Sequence, residues 1–394
     1  MQPIEVVILA GARTPQGRVN GQLASRTAVQ LGATAIAGAL VRSGVDAGQV
    51  QAVIMGQVLQ AGVGQNPARQ SAIEAGIPWG VNAVTLNKVC LSGLAAVVDA
   101  ARLIRLGEAD VVVAGGQESM TNAPHLLPGS RRGWPYGSVE MLDHAAYDGL
   151  TDAFDGLSMG LSTERSITEL GIGRVEQDEF AARSHQRAGA AAASGIFDDE
   201  IVPVSVPQRR GEPLVVLADE GVRPDSTAET LGALRPAFDA EGSITAGNSS
   251  PLSDGASALV LASREWAEAN GHGWLAVVEA SGHVAGPDNS LHSQPSHAID
   301  AALARQGWEV GSLDLVEINE AFAAVGVQST RDLGIDPEIV NVHGGAIALG
   351  HPIGASGARL ALHAALELHR RGGGRAAVAL CGGGGQGDAL LLSL

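Results

Sequence analysis

Residues 84–116 read VTLNKVCLSGLAAVVDAARLIRLGEADVVVAGG, and this run decides the fold. Val84-Thr85-Leu86 is apolar and β-branched, as a strand requires, and Asn87-Lys88 interrupts it. Ser92-Gly93 then opens residues 94–105, an Ala-rich stretch with apolar positions at helical spacing. Residues 109–114 return to a continuous apolar run that ends on Gly115-Gly116. Strand, turn, helix and strand within about thirty residues make a βαβ unit.

Working outward, residues 5–10 and 52–58 read as strands and residues 28–43 and 67–75 as helices. Such alternation predicts a parallel sheet with helices covering its faces. The same grammar returns later in the chain. Strand-like residues 313–318 precede Asn319-Glu320-Ala321-Phe322, residues 339–342 lead into the Gly-rich stretch 344–350, and Ser356-Gly357 opens a helix over 358–370. Residues 376–380 form a strand ending at Cys381 and four glycines, Gly382 to Gly385. Each stretch sets a Ser-Gly pair about 20 residues before its next strand, which suggests a duplicated α/β unit. Any two βα units share this grammar, so spacing alone leaves duplication and coincidence both open. Between them, residues 120–250 are rich in Pro and Gly, with helical pieces (176–194) but few clean strands, and read as an excursion that covers a site.

The chain has 394 residues, enough for two or three domains with a sizeable core. With 45% apolar and 17% charged residues it is not of the disordered class. A net charge of −17 argues against general nucleic-acid or anionic-membrane binding. Lys88 is the only lysine, so the remaining cations are guanidinium groups suited to forked oxygen contacts. Two cysteines make neither a disulfide framework nor a zinc knuckle, and a reducing compartment fits. Met1-Gln2-Pro3-Ile4-Glu5 lacks the features of a secretory leader, no apolar run of about 18 residues suggests a membrane span, and Leu392-Ser393-Leu394 is not the peroxisomal address. The expectation is a soluble cytoplasmic protein.

Cys90 sits between a strand and a helix start, where the helix dipole and a basic neighbour can lower its thiol and favour thiolate. A buried Cys acting as a small hydrophobe is the alternative. Cys381 opens a Gly-rich turn that can cradle an anion, or that simply needs positive φ. His351, flanked by Gly350 and Pro352, lies in a loop where it can serve as a general base or sit idle on the surface. All three fall at strand ends from which helices begin, so they would converge on the crevice where open α/β sheets bind ligands, as a thiol-based acyl-transfer site.

These residues carry a family resemblance. Asn87-Lys88-Val89-Cys90-Leu91-Ser92-Gly93-Leu94, Asn319-Glu320-Ala321-Phe322-Ala323, residues 344–359 with Gly350-His351-Pro352, and Cys381-Gly382-Gly383-Gly384 resemble, in order, the four signature blocks of the thiolases. Residues 234–238 and 245–250 extend the likeness over essentially the whole chain, which looks most like the short-chain biosynthetic branch, the acetyl-CoA acetyltransferases. The resemblance implies an α/β fold of thiolase-like, duplicated βαβαβαββ halves stacked in layers. Residues 1–120, completed by 251–272, would form the N-terminal half, 121–250 an inserted loop domain over the active site, and 273–394 the C-terminal half.

It also implies the site. Cys90 would be the acylated nucleophile, His351 its base, and Cys381 the group that exchanges the α-proton. His351 with a water held by Asn319 would form one oxyanion site, and the N–H groups of Cys90 and Gly383 the other. Arg223 would lie near the adenine, with Ser250, Phe238, Ala246 and Leu150 along the pantetheine arm, and Met159, Phe322 and Leu291 completing the substrate contacts. Arg209 and Arg210 are candidates for the phosphates by charge alone. No metal and no prosthetic group is expected; CoA and acetyl-CoA are the substrates, and a homotetramer paired through residues 124–136 is implied. The activity expected is reversible Claisen condensation of two acetyl-CoA. A 3-ketoacyl-CoA thiolase of fatty-acid β-oxidation, a decarboxylating ketosynthase and a silent CoA-binding protein are the alternatives. Four departures bear on substrate: Ser158 where His is usual, residues 291–295 in place of Met-Gly-x-Gly-Pro, the large Leu91, and His343 for Asn.

Overall fold

The computed structural model describes residues 4–394; Met1-Gln2-Pro3, part of the stretch read for a leader, lie outside the described residues. Ten strands among them form one sheet: β1 (Val6–Arg13), β2 (Gly17–Arg18), β3 (Ala52–Gly56), β4 (Asn82–Leu86), β5 (Val111–Ser119), β6 (Ser253–Ser263), β7 (Ala276–Ala285), β8 (Leu315–Ile318), β9 (Arg375–Gly382) and β10 (Gln386–Ser393). Their order is β8-β9-β10-β7-β1-β6-β5-β3-β4, with β2 paired to β6. The expected parallel sheet is parallel only towards its edges, where β3 pairs β4 and β5 and where β8 pairs β9. Its middle is antiparallel. Gly384 and Gly385, at φ of 78° and 66°, turn β9 straight back into β10, and a hairpin allows no other sense.

Strand alternation sorts the apolar side chains into layers. Val112, Ala114, Leu259 and Leu261 from one half of the sheet, and Val378, Leu380, Leu390 and Leu392 from the other, pack on α3 (residues 92–105) and α8 (residues 356–371) between them. Their neighbours Val111, Val113 and Val260 face α1 (residues 28–43) and α2 (residues 67–74) instead. Ala377, Ala379, Ala389 and Leu391 face α6 (residues 294–306), and α7 (residues 323–333) packs beside it. Helices and half-sheets therefore alternate through five layers, with α3 and α8 at the centre.

The Ser-Gly pairs at the starts of α3 and α8 now have a physical reason. A β-carbon on Gly357 would lie 2.3 Å from the Leu94 nitrogen, and one on Gly93 would lie 2.9 Å from the Ala358 nitrogen. The two helix starts touch backbone to backbone. Residues 339–342, by contrast, make only a single bridge, Val340 to Val316. The Asn341 side chain takes over the ladder bonds there, donating to Ile318 O at 2.8 Å and accepting from Ile318 N at 2.8 Å.

The excursion over residues 120–250 holds α4 (residues 159–167), α5 (residues 174–193) and two short hairpins. Buried charge ties it to both halves. Arg13 of β1 donates to Glu200 at 2.8 Å and to the two Asp219 oxygens at 2.7 and 2.9 Å. His363 of α8 meets Glu200 at 2.9 Å and His343 at 3.1 Å. Burial pulls the His363 imidazole down, but Glu200 outweighs it and the pKa ends above the usual value. Glu200 is lifted by burial and then held far below the carboxylate range by Arg13 and His363.

Two outcomes are expected. Gly357→Ala forces α3 from α8 and should cost roughly 1–3 kcal/mol or more, read as a lower urea midpoint at unchanged slope. A raised imidazole contributes stability that is full below its unfolded pKa of about 6.5 and fades as pH climbs through the folded value. The difference in Tm between the native chain and His363→Gln should therefore shrink as pH rises from about 6 to 9, and a constant difference would remove the protonated pair.

Candidate active site

The loop from β4 to α3 holds Cys90 through a strained neighbour. Val89 has φ of 51°, in the left-handed region that a β-branched residue rarely enters. Its N–H donates to Asn87 Oδ1 at 3.0 Å, and the Ser92 hydroxyl donates to Val89 O at 2.6 Å while accepting from Lys88 N at 2.8 Å. Cys381 stands near the end of β9 and Asn319 just beyond β8. His351 lies in the turn before α8, its N–H donating to Ser253 Oγ at 3.0 Å. The Ser356 hydroxyl donates to Pro352 O at 3.1 Å and so accepts from His351 Nδ1–H, 2.5 Å away. This hydrogen-bond assignment leaves Nε2 with the lone pair, 3.4 Å from Asn319 Nδ2.

Cys90, His351, Cys381 and Gly383, from four distant stretches of chain, line one cavity of about 490 Å³. Leu150, Met159, Phe238, Ala246, Ser250, Leu291 and Phe322 line it too. Asn319 is not on its wall but wholly buried behind His351. Arg223 is exposed and off the wall, with its backbone N–H donating to His185 Nδ1 at 3.2 Å. Arg209 and Arg210 are exposed in the hairpin loop between Val206 and Leu214 and do not line the cavity either.

Of the four departures, Ser158 is on the wall, where its hydroxyl caps α4, and Leu291 of the 291–295 segment lines the same cavity. Leu91 points away, filling the space over Gly382, and His343 stacks edge-on against His363.

The sequence gives no motif for two residues at or near this cavity. Arg18 lines the cavity, and nothing in Gln16-Gly17-Arg18 marks it out. Glu118 is fully buried; its carboxylate accepts from the backbone N–H groups of Val58 (3.0 Å), Leu59 (3.1 Å) and Gly354 (2.9 Å). A carboxylate closing the apolar run of β5 was the available signal. Burial pushes it up to about 7.

The thiol expectation is reversed in direction. Burial pushes Cys90 up to about 12, although its own N–H and that of Gly383 point at the sulfur and favour thiolate, and the Glu118 charge opposes them. What surface Cys90 shows faces the cavity, so the helix start does not compensate for lost water. Lys88 does not help, because its ammonium is turned onto Asp388. Cys381 is raised by burial and then by Cys90. Burial, and then the Arg359 charge, press His351 down to about 3. At neutral pH both shifts favour the uncharged thiol and the uncharged imidazole. Alkylation of Cys90 should accordingly speed up about tenfold per pH unit from neutrality to about pH 9, and a plateau below pH 8 would contradict the raised thiol.

A nucleophilic sulfur, an imidazole held in one tautomer, a second thiol and two converging N–H groups in one crevice define a site for acyl transfer through sulfur. The family described as Thiolase, N-terminal domain, matches residues 6–265, and Thiolase, C-terminal domain, matches residues 272–394. The chain is 57% identical over 386 residues to a probable acetyl-CoA acetyltransferase of Mycolicibacterium smegmatis, covering 98% of this chain and 100% of that one. It is 50% identical over 390 residues to the acetyl-CoA acetyltransferase of Pseudomonas aeruginosa, covering 99% of both. The crystal structure of the Bacillus anthracis acetyl-CoA acetyltransferase superposes with a TM-score of 0.96 at 40% identity, over 99% of each chain. The chain belongs to the thiolase family. Among the described residues no helix is long and apolar enough to cross a membrane.

Proposed function

We propose that this acyltransferase is an acetyl-CoA C-acetyltransferase, condensing two acetyl-CoA reversibly to acetoacetyl-CoA and CoA through an acetyl-Cys90 intermediate. The observation that carries it is the meeting of Cys90, His351, Cys381 and Gly383 on one cavity wall.

The first acetyl-CoA is attacked at its carbonyl carbon by the Cys90 sulfur as the thiol proton passes to His351 Nε2. In the free enzyme that transfer runs uphill, because the thiol is raised and the imidazole lowered. It becomes feasible when the negative charge moves on to the carbonyl oxygen, into the N–H groups of Cys90 and Gly383; one such donor is worth roughly 3–4 kcal/mol. The tetrahedral adduct expels CoA, whose sulfur takes the Cys381 proton. That leaves a Cys381 thiolate facing an imidazolium. The thiolate removes the α-proton of the second acetyl-CoA, and the enolate oxygen is held by His351 Nε2–H with Asn319 behind it. The carbanion attacks acetyl-Cys90, and the freed sulfur recovers its proton from His351. Each proton is returned and the cycle closes.

Arg18 on the cavity wall and Arg223 beyond it supply the local positive charge that an anionic CoA needs against a net charge of −17. Both act on the same imidazole, His185, which burial, then Arg223, then Arg18 lower to about 4. The same reading makes the enzyme a cytoplasmic homotetramer, with exposed Leu127, Trp134 and Tyr136 available to pair dimers.

Cys381→Ser should still form acetyl-Cys90, seen by peptide mass, while acetoacetyl-CoA synthesis falls at least about a hundredfold. Loss of the adduct in this variant would mean that CoA cannot leave without the Cys381 proton, and would overturn a role confined to assisting its departure. Thiolysis rates that climb steadily beyond four-carbon ketoacyl chains would replace the short-chain assignment with a β-oxidation thiolase.

A further inference from the structure

Lys88, the single lysine of the chain, does not reach the catalytic cavity although its neighbours Val89 and Cys90 line it. Its ammonium donates to both oxygens of Asp388, at 2.7 and 2.8 Å. Asp388 has no exposed surface and also meets His283 Nδ1 at 2.7 Å. On the far side, Lys88 borders a separate depression of about 290 Å³ with Arg102 and His283, so it has no route to a bound thioester.

The partners matter for where they stand. Lys88 is two residues before Cys90. Asp388 lies opposite Leu380 in the β9–β10 ladder, one step from the pair Cys381–Gly387. A single ion pair thus joins the immediate neighbourhood of one catalytic sulfur to that of the other, and of Gly383, across the junction of the two halves. It does so at the strained point of the loop, next to Val89 at φ of 51°. His351 is held separately, through its N–H on Ser253 and through Gly354 on Glu118.

We propose that the Lys88–Asp388 pair sets the position of Cys90 relative to Cys381 and Gly383. The inference rests on the thiolase reaction proposed above. Lys88 is a positioning residue: it touches no reacting atom, and its effect is on the geometry of the oxyanion pair and of the two sulfurs. Removing Lys88 frees the loop and leaves the buried Asp388 carboxylate with His283 as its remaining side-chain partner; removing Asp388 frees the loop and leaves the part-exposed Lys88 without its partner.

The test uses the full-length enzyme and acetoacetyl-CoA thiolysis, with kcat expressed per alkylatable Cys90 so that unfolded protein is not counted. Lys88→Met should lower kcat per site about a hundredfold with KM within about threefold, as a misplacement near 1 Å predicts. Lys88→Arg, which keeps a cation on Asp388, should recover to within about tenfold of the native enzyme. Should Lys88→Met fail to fold, the double replacement Lys88→Met with Asp388→Leu leaves no lone carboxylate and should show the same loss per site. Activity that falls only in step with alkylatable sites and Tm, at constant kcat per site, would overturn the positioning role. A native enzyme that forms no acetyl-Cys90 would instead sink the functional reading; normal native turnover with unaltered variants sinks the ion-pair role alone.

Discussion

Everything in the site depends on two helices approaching at their first turns without a side chain between them. Gly93 and Gly357 let the starts of α3 and α8 touch main chain to main chain, and Gly116 continues the contact, since a β-carbon there would sit 1.9 Å from Gly354 O. The loop that carries Cys90 precedes one helix and the loop that carries His351 precedes the other. The central layer is therefore more than core: its apolar sides fix the two half-sheets, and its bare ends fix the two loops that carry Cys90 and His351. A chain with 53 glycines and few aromatics is built for such approaches.

The same close packing sets the electrostatics. Cys381 and the imidazole are buried and Cys90 keeps only part of its surface, towards the cavity, so the charged form of each is disfavoured, and in the proposed reaction charge separation waits for a carbonyl to accept it. Helix position alone pointed the other way for Cys90. The dipole contribution is real but small, worth about 0.3–1 kcal/mol at an exposed end, whereas burying a thiolate costs several times that. Lys88 looked like a helper in the sequence because it is adjacent; in space its charge is spent on Asp388.

Much of this was legible beforehand, and the limits have physical causes. The bounds read for α1, residues 28–43, are those observed, since Thr27 with Gln30 forms a capping box and Gly44 closes the helix at φ of 67°. Short-range signals of that kind survive translation into structure. Strand sense did not, because parallel and antiparallel strands share one apolar pattern and only the return path decides between them; the antiparallel strand over residues 386–393 was hidden behind a Gly run. Asn341 shows a local substitution of side chain for main chain that no periodicity reveals. At the site, Cys90, His351, Cys381, Leu150, Phe238, Ala246 and Ser250 line one cavity, since the loops that carry the motif residues lie at neighbouring strand ends. Arg18, Glu118 and Asp388 owe their place to partners 50 or more residues away, information that a linear reading does not hold.

The two thiols are not equivalent, and their surroundings divide the labour between them. The Cys90 sulfur receives N–H groups from itself and from Gly383, both favouring its thiolate, whereas Cys381 receives only its own and would be raised further by an ionised Cys90. A sulfur whose thiolate is better supported is the better leaving group and the weaker base. The Cys90 position accordingly suits a group that must be expelled from a tetrahedral adduct. Cys381, more sparsely supported, suits the removal of a proton from carbon, where a strong base is required and departure is not. Exchanging the roles would ask the better base to leave and the better leaving group to abstract, so in the proposed reaction the asymmetry of the backbone donors favours Cys90 as the carrier of the acyl group.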